Sequence, residues 1–325
     1  MDTGSHLLIG ITLAGVATLQ PEVAHDPLLL QAVLAVTVAG SHAPDLDTIA
    51  RLKGYAVYLR HHRGITHSLP ALVVWPALLS ALAAALFGGM WDHYVLLYGW
   101  AAMAVILHVG MDLLNAYGVQ CLKPFSSRWL HLDILPLTDP FLLALHGCGA
   151  LLWVAGAANP GIWMAAVYGA SFIYVMARWL HKRLLLRRLT GYAKDLLGAA
   201  GPLQLVPGLT WRSWQFAAET EYSFHSGTVR GARIVLKDTY VKDRTHPVIE
   251  AAMAAEGVRA FLDFAQSSHV SWDSHGEGYV VKWREVRFWH EHKLPFGIDV
   301  TLDRELKVLS EQLGWTKKAW EPPYV

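Results

Sequence analysis

The sequence predicts a mainly α-helical protein: a polytopic membrane bundle of about six helices, then a small cytoplasmic α+β domain built on an antiparallel sheet. Three observations carry this expectation. Of 325 residues, 54% are apolar and 16% charged, where an average soluble protein has about 25% charged. The charge is unevenly spread, because residues 1–177 hold 6 Lys/Arg and 9 Asp/Glu while residues 178–325 hold 21 and 17. Within the first part, uncharged apolar stretches approach the roughly 20 residues that cross a bilayer as helix. The same figures exclude other classes. A net charge of +1 leaves no footprint for a dedicated nucleic-acid binder. The apolar content excludes disorder, and a cysteine complement of Cys121 and Cys148 excludes a disulfide scaffold.

Taken in order, the helices are expected at 5–20, 28–43, 69–88, 93–114, 140–158 and 161–180. Leu69 to Met90 is 22 residues without a charge, and Tyr94 to Met111 is 18, interrupted by His108. Pro140 to Ala177 is 38 residues broken at Asn159-Pro160-Gly161, which reads as two spans. The two earliest stretches are shorter. The first has no basic n-region, since Asp2 is its early charge, and reads as mature structure rather than a signal peptide. Lys/Arg mark cytoplasmic loops. Arg51, Lys53, Arg60 and Arg63 lie in one loop, Lys123 and Arg128 in another, and Arg178 to Arg188 follow the last span. The alternate loops carry no Lys or Arg. Six spans with both termini in the cytoplasm satisfy that alternation.

The polar residues of the apolar half then fall on the same cytoplasmic side. His6 starts the first helix, Ser41-His42-Ala43-Pro44-Asp45-Leu46-Asp47 follows the second, and His61-His62-Arg63-Gly64-Ile65-Thr66-His67-Ser68 leads into the third. His108 and Asp112 close the fourth, followed by His131, Asp133 and Asp139. Residues four apart share a helix face, so His108 and Asp112 can chelate one ion. Mixed nitrogen and oxygen donors suit zinc, manganese or iron. Asp45 and Asp47 offer carboxylates on a turn, and Gly64 permits a sharp turn among three imidazoles. With His6 the set suffices for two or three metals. Plainer roles stand beside these. Asp45 or Asp47 can cap a short helix over 47–53, and Thr66 or Ser68 can cap the third span. Arg63 reads as contacting a lipid or substrate phosphate, or a carboxylate. His146, inside a span, reads as a helix-packing hydrogen bonder, and both cysteines read as ordinary thiols.

Helical His6, SHAPDLD, HHRGITHS, the HxxxD of His108–Asp112 with Asn115 and Gly118, and KPFSSRW together resemble the YdjM-like inner-membrane metal-dependent hydrolases. The resemblance covers residues 1–180 or so and is specific as an ordered set. That family is in turn similar to zinc-dependent phospholipase C and P1-type nucleases, helical enzymes whose zinc cluster includes an HxxxD helix. The resemblance implies a phosphoester hydrolase holding two or three divalent ions, zinc first and manganese second. It implies metal ligands among His6, Asp45, Asp47, His62, His67, His108 and Asp112, with Asp112 bridging. It places His61, Arg63, Lys123 and Arg128 on the phosphate, and Asp112, His67 and Arg63 at the catalytic centre. A metal-activated water would attack phosphorus in line, with Arg63 stabilising the developing charge. The further His ligands of the secreted enzymes are represented here by His131 and Asp133 alone. Trp129 and Phe125 beside Lys123 and Arg128 form an interfacial belt, which favours membrane lipids and a lipid phosphate as substrate.

Three domains follow from this reading: a membrane domain over 1–180, a basic helix and linker over 181–208, and a cytoplasmic α+β domain over 209–325. In the last, 211–241 reads as strands, 247–266 as a helix, 278–289 and 296–303 as strands, and 303–313 as a helix. Its ligand or protein partner is not legible. Two other function classes compete: a non-catalytic membrane regulator with a structural metal cluster and a partner-binding cytoplasmic domain, and a transporter. Clustering of the polar residues on one face argues against the transporter.

Overall fold

The structure is a computed structural model, and it describes residues 1–197, 201–231, 233–242, 245–276, 278–318 and 321. The chain divides into two compact units: residues 1–48 with 62–179, and residues 49–61 with 180–325.

The first unit is helical. It holds α1 (Thr3–Ala17), α2 (Pro21–His25) and α3 (Pro27–Gly40), then a 3-10 helix over Ala43–Lys53 that continues into the second unit. The short helix α4 (Tyr55–His61) lies in the second unit. The first unit resumes through α5 (Ala71–Leu86), α6 (Tyr94–Leu113), α7 (Pro140–Val154) and the beginning of α8 (Pro160–Leu197). Two helices start at the same local device. Asp26 before Pro27 and Asp139 before Pro140 each accept two backbone N–H bonds, while the proline occupies the first turn, where no donor is needed. Asp139 also accepts from Tyr174 Oη at 2.9 Å, so it is a structural cap. The core pairs small with large residues: Ala14, Ala32, Ala83, Ala84 and Ala101 lie among Leu29, Val33, Val36 and Leu97. Small residues let apolar helices approach closely.

Among the described residues, two helical stretches are long and apolar enough to cross a membrane, Trp91–Leu113 and Pro160–Lys194. The number rises to four if each bent pair, Pro27–Gly40 with Ala43–Lys53 and Tyr55–His67 with Ala71–Leu86, is one span. Helices α1 and α7 have 15 residues each, which is about 22 Å of helix against a hydrocarbon core near 30 Å. Helix length therefore does not carry the expected count of six.

The second unit is built on two four-stranded antiparallel sheets, each in simple sequential order. The first contains β1 (Leu203–Pro207), β2 (Ser213–Glu219), β3 (Ser223–Arg230) and β4 (Arg233–Val241). After α9 (Pro247–Ala252) and α10 (Glu256–Phe264) come β5 (Ser268–His275), β6 (Gly278–Glu285), β7 (Phe296–Asp303) and β8 (Val308–Trp315). One face of the first sheet, with Leu205, Trp214, Phe216 and Val229, packs on Leu185 and Leu189 of α8. The basic stretch expected as a separate helix is thus the end of one continuous helix.

Several expectations are corrected. The 181–208 linker contains β1, an edge strand whose Pro207 pairs opposite Trp214 at the strand end, where prolines are tolerated. The helix expected over 303–313 is strand β8, paired with β7 from Phe296↔Trp315 to Leu302↔Val308. Its Leu-Ser-Glu-Gln-Leu run suits either structure, and cross-strand pairing overrides a weak helix preference. The helix expected over 247–266 breaks at Met253–Ala255 into α9 and α10. Strand β5 is too polar to show an alternating pattern. Residues 49–61, expected as part of a membrane loop, pack with α10 and β8, where Arg60 Nη1 donates to Glu256 Oε1 at 2.6 Å.

Candidate metal centre

Helix α6 presents His108 and Asp112 on its buried face, four residues apart, with His108 Nε2 3.6 Å from Asp112 Oδ2. Gly10 of α1 lets that helix lie against the end of α3, since a Cβ there would meet Ser41 Oγ at 2.5 Å. The end of α3 in turn exposes the Ser41 carbonyl, which accepts from His108 Nδ1 at 2.7 Å. That bond places the Nδ1 proton outward and leaves the Nε2 lone pair facing Asp112.

The loop after α4 supplies His67 in the same way. Thr66 Oγ1 donates to Asp47 Oδ2 at 2.5 Å and lies 3.0 Å from His67 Nδ1. Its hydrogen is committed to the carboxylate, so the hydroxyl accepts from His67 Nδ1 and the His67 Nε2 lone pair points inward. Neither Thr66 nor Ser68 caps α5, whose N-cap is Pro70 without a side-chain bond. Gly64 takes φ −98°, ψ −111°, outside the regions open to other residues, while Arg63 takes the left-handed φ of 56°.

Four atoms converge as a result. His67 Nε2 and His108 Nε2 are 3.2 Å apart. Asp45 Oδ1 is 3.6 and 3.7 Å from them, and Asp112 Oδ2 is 3.4 and 3.6 Å. These separations match the edges of a tetrahedron with ligand distances of about 2.0–2.1 Å. Asp45 Oδ1 and Asp112 Oδ2 are buried without a hydrogen-bond partner. Two imidazole lone pairs and two orphaned carboxylate oxygens repel one another unless a cation lies among them. The donor set therefore fits a divalent metal ion, and the buried Asp/His cluster is a metal-binding candidate.

The other expected residues fall into distinct places. Asp45, Asp47 and His62 form a second group with ligand atoms within 4.8 Å. Both Asp47 oxygens are already engaged, by His62 Nδ1 at 2.7 Å, by Arg63 N at 2.9 Å and by Thr66. Asp47 thus organises the loop from behind its histidines, the arrangement that orients metal ligands. His6 stacks on the His108 ring at 3.9 Å and puts Nε2 3.5 Å from Asp112 Oδ1. Asp112 is two-sided: Oδ2 faces the cluster, while Oδ1 meets His6, the Met1 amino group and Arg63 Nη2, the last at 2.9 Å. Arg63 is buried, lies 5.1 Å over the Tyr117 ring and bonds the Gly118 carbonyl. It is therefore held as a partner of Asp112. His61 is exposed at the end of α4 in the second unit. Lys123 and Arg128 line one cleft of about 630 Å³ with Ile65, Ser68 and Phe125. His131 pairs with Asp133 at 2.6 Å, and His146 lies 2.7 Å from Thr12 Oγ1 and 3.1 Å from Ser171 Oγ.

Thr66, Tyr117 and the Ser41 carbonyl escaped the sequence reading. For Thr66 the available signal was a hydroxyl beside a candidate ligand histidine. Thr66→Ala is expected to lower metal affinity about 10- to 100-fold while leaving every ligand in place, as read by competitive chelator titration.

Residues 1–185 match the model of the YdjM inner membrane protein family, and these include every residue of the cluster. The chain belongs to that family. Residues 247–321, from α9 to beyond β8, match the YfhP C-terminal alpha/beta plait domain. The chain is 34% identical over 317 residues to the uncharacterized protein YfhP of Bacillus subtilis (strain 168), covering 97% of this chain and 95% of the relative. No solved structure matches it. The YdjM family and the apolar helices together mark a membrane protein whose Asp/His cluster can hold a metal ion.

Proposed function

We propose that this protein is a membrane-bound, metal-dependent hydrolase that cleaves a phosphate ester, with a lipid phosphate as the favoured substrate. The observation that carries the reading is the convergence of His67 Nε2, His108 Nε2, Asp45 Oδ1 and Asp112 Oδ2, with two orphaned carboxylate oxygens among them. Nitrogen and oxygen donors at tetrahedral spacing favour zinc, with manganese second. A bound divalent cation would supply a water of lowered pKa and polarise a phosphoryl oxygen.

The chain's own groups have separable tasks. Thr66 and the Ser41 carbonyl hold the two imidazoles in the ligating tautomer. Arg63 pairs with Asp112 Oδ1 and so orients the carboxylate. Lys123 and Arg128 would take the anionic group in their cleft, beside Phe125, which is 86% exposed. An exposed aromatic beside two cations suits the membrane interface. The Lys/Arg distribution supports a multi-pass chain of six spans, with both termini and the metal centre on the cytoplasmic side.

The purified protein, loaded with zinc and then with manganese, is to be assayed against a chromogenic phosphodiester and against phospholipids. The expected result is hydrolysis lost on chelation and reduced at least about 100-fold in His108→Ala, the scale of losing a catalytic metal ligand. Lys123→Ala is expected to raise KM more than it lowers kcat. Four protein donors are also the arrangement of structural metal sites, which favours the regulator as second reading. Retained metal without hydrolysis of any tested ester would move the assignment there.

A further inference from the structure

The first sheet of the second unit carries a concentration of positive charge that the metal centre does not use. Its α8-facing side buries Trp214, Phe216 and Val229. Side chains alternate along strands, so the opposite side carries Gln215, Thr228 and Val235 in one cross-strand row and Ser213, Arg230 and Arg233 in the next. Two clefts of about 550 and 590 Å³ open here, and both are lined by Arg230 and Glu291. Arg212 lines the first, and Arg233 with Lys237 lines the second. These four cations are exposed, and among the described residues none of them makes an ion pair.

Two features of this face point to a ligand: a pair of like charges that a bound anion would relieve, and a turn of unusual backbone conformation on the rim. Arg230 and Arg233 are direct cross-strand partners, and like charges directly opposite destabilise a sheet. The rim shared by the clefts is a turn from His290 to Lys293, closed by two backbone hydrogen bonds of 2.9 Å. Its central residues, Glu291 and His292, have φ of 44° and 68°, a hairpin-turn conformation usually filled by Asn-Gly. Non-glycine residues hold such angles where the surroundings over-determine them, and they cluster at ligand clamps. Asp238 does this here, accepting from Trp289 Nε1 at 2.6 Å and His292 Nδ1 at 2.8 Å.

We infer that the paired clefts form a binding site for an anion carrying at least two phosphate groups, with Arg230 shared between them. Arginine forks match phosphate oxygens, and two adjoining clefts joined by one guanidinium suit linked phosphates better than a single one. The sources of this chemistry are a soluble nucleotide and a phosphorylated lipid headgroup. The site is independent of the metal centre.

The test is calorimetric titration of the full-length protein in neutral detergent with inorganic pyrophosphate. Saturable binding that weakens with salt is expected, reduced at least tenfold in Arg230→Gln and in Arg233→Gln and unchanged when the parent protein is first stripped of metal by a chelator. Both arginines are exposed, and unaltered melting curves would show that the variants fold. Competition by ATP against a short-chain diacylglycerol pyrophosphate, which carries two linked phosphates on a lipid, then assigns the soluble or the lipid source. No saturable binding, binding in both arginine variants equal to the parent's, or loss on metal removal would overturn the inference.

Discussion

Asp112→Ala is expected to lose metal and stability together. The substitution removes Oδ2 from the four-atom cluster, and Oδ1 from His6, Arg63 and the Met1 amino group. Metal content by plasma mass spectrometry should fall at least about tenfold, since an imidazole pair and one carboxylate hold a divalent ion far less tightly than the full set. Removing one partner of a buried ion pair costs about 3–5 kcal/mol, and Arg63 and Asp112 are buried to 4% and 0% exposure. Asp112→Asn separates the two effects. It retains volume and an acceptor for Arg63 while withdrawing the charge, so metal should still be lost with a smaller fall in melting temperature. Full metal content in both variants would remove the cluster as a metal centre.

Glu285→Ala should be the most damaging single change in the second unit. Glu285 is fully buried at the end of β6, where it accepts from Gln266 N at 2.7 Å, Ser267 N at 3.1 Å and Arg287 N at 3.2 Å. Its Oε2 also lies 3.5 Å from Arg287 Nη2. The carboxylate thus joins the segment entering β5 to the turn leaving β6. Its loss deprives three backbone donors of their acceptor and takes the carboxylate from beside a buried guanidinium. An unsatisfied buried group costs about 1–3 kcal/mol, and the buried pair sets a total near 3–5 kcal/mol. Glu285→Gln keeps an acceptor and should lose about half of that. Thermal denaturation of the three proteins gives the order, and a melting temperature unchanged in Glu285→Ala would refute this account.

The candidate metal-binding face was legible wherever local geometry suffices. His108 and Asp112 meet because a helix returns to the same face after four residues, whatever packs around it. Asp45 and His67 were recognised as residue types, but their convergence required two loops to close on α6. The roles of Thr66 and Asp47 were not legible, because a ligand's tautomer depends on which acceptor lies behind it in space. Arg63 was expected on a phosphate or a carboxylate, and which carboxylate was not legible: it pairs with Asp112, 49 positions away in the sequence. In the second unit, β7 was read correctly from FGIDVTLD, where alternation is strong, whereas β8 was read as helix because its outer face is exposed along an edge.

Composition and periodicity thus established an apolar helical part, a more charged part with antiparallel strands, and a concentration of His and Asp between helices. These properties depend on neighbours in the chain, at spacings a helix or strand sets locally. Which two oxygens remain without partners, which carboxylate supports rather than ligates, and why residues 49–61 leave the helical unit depend on contacts between distant segments. Those contacts arise from burial and from the need to satisfy each buried polar group, and no local spacing encodes them.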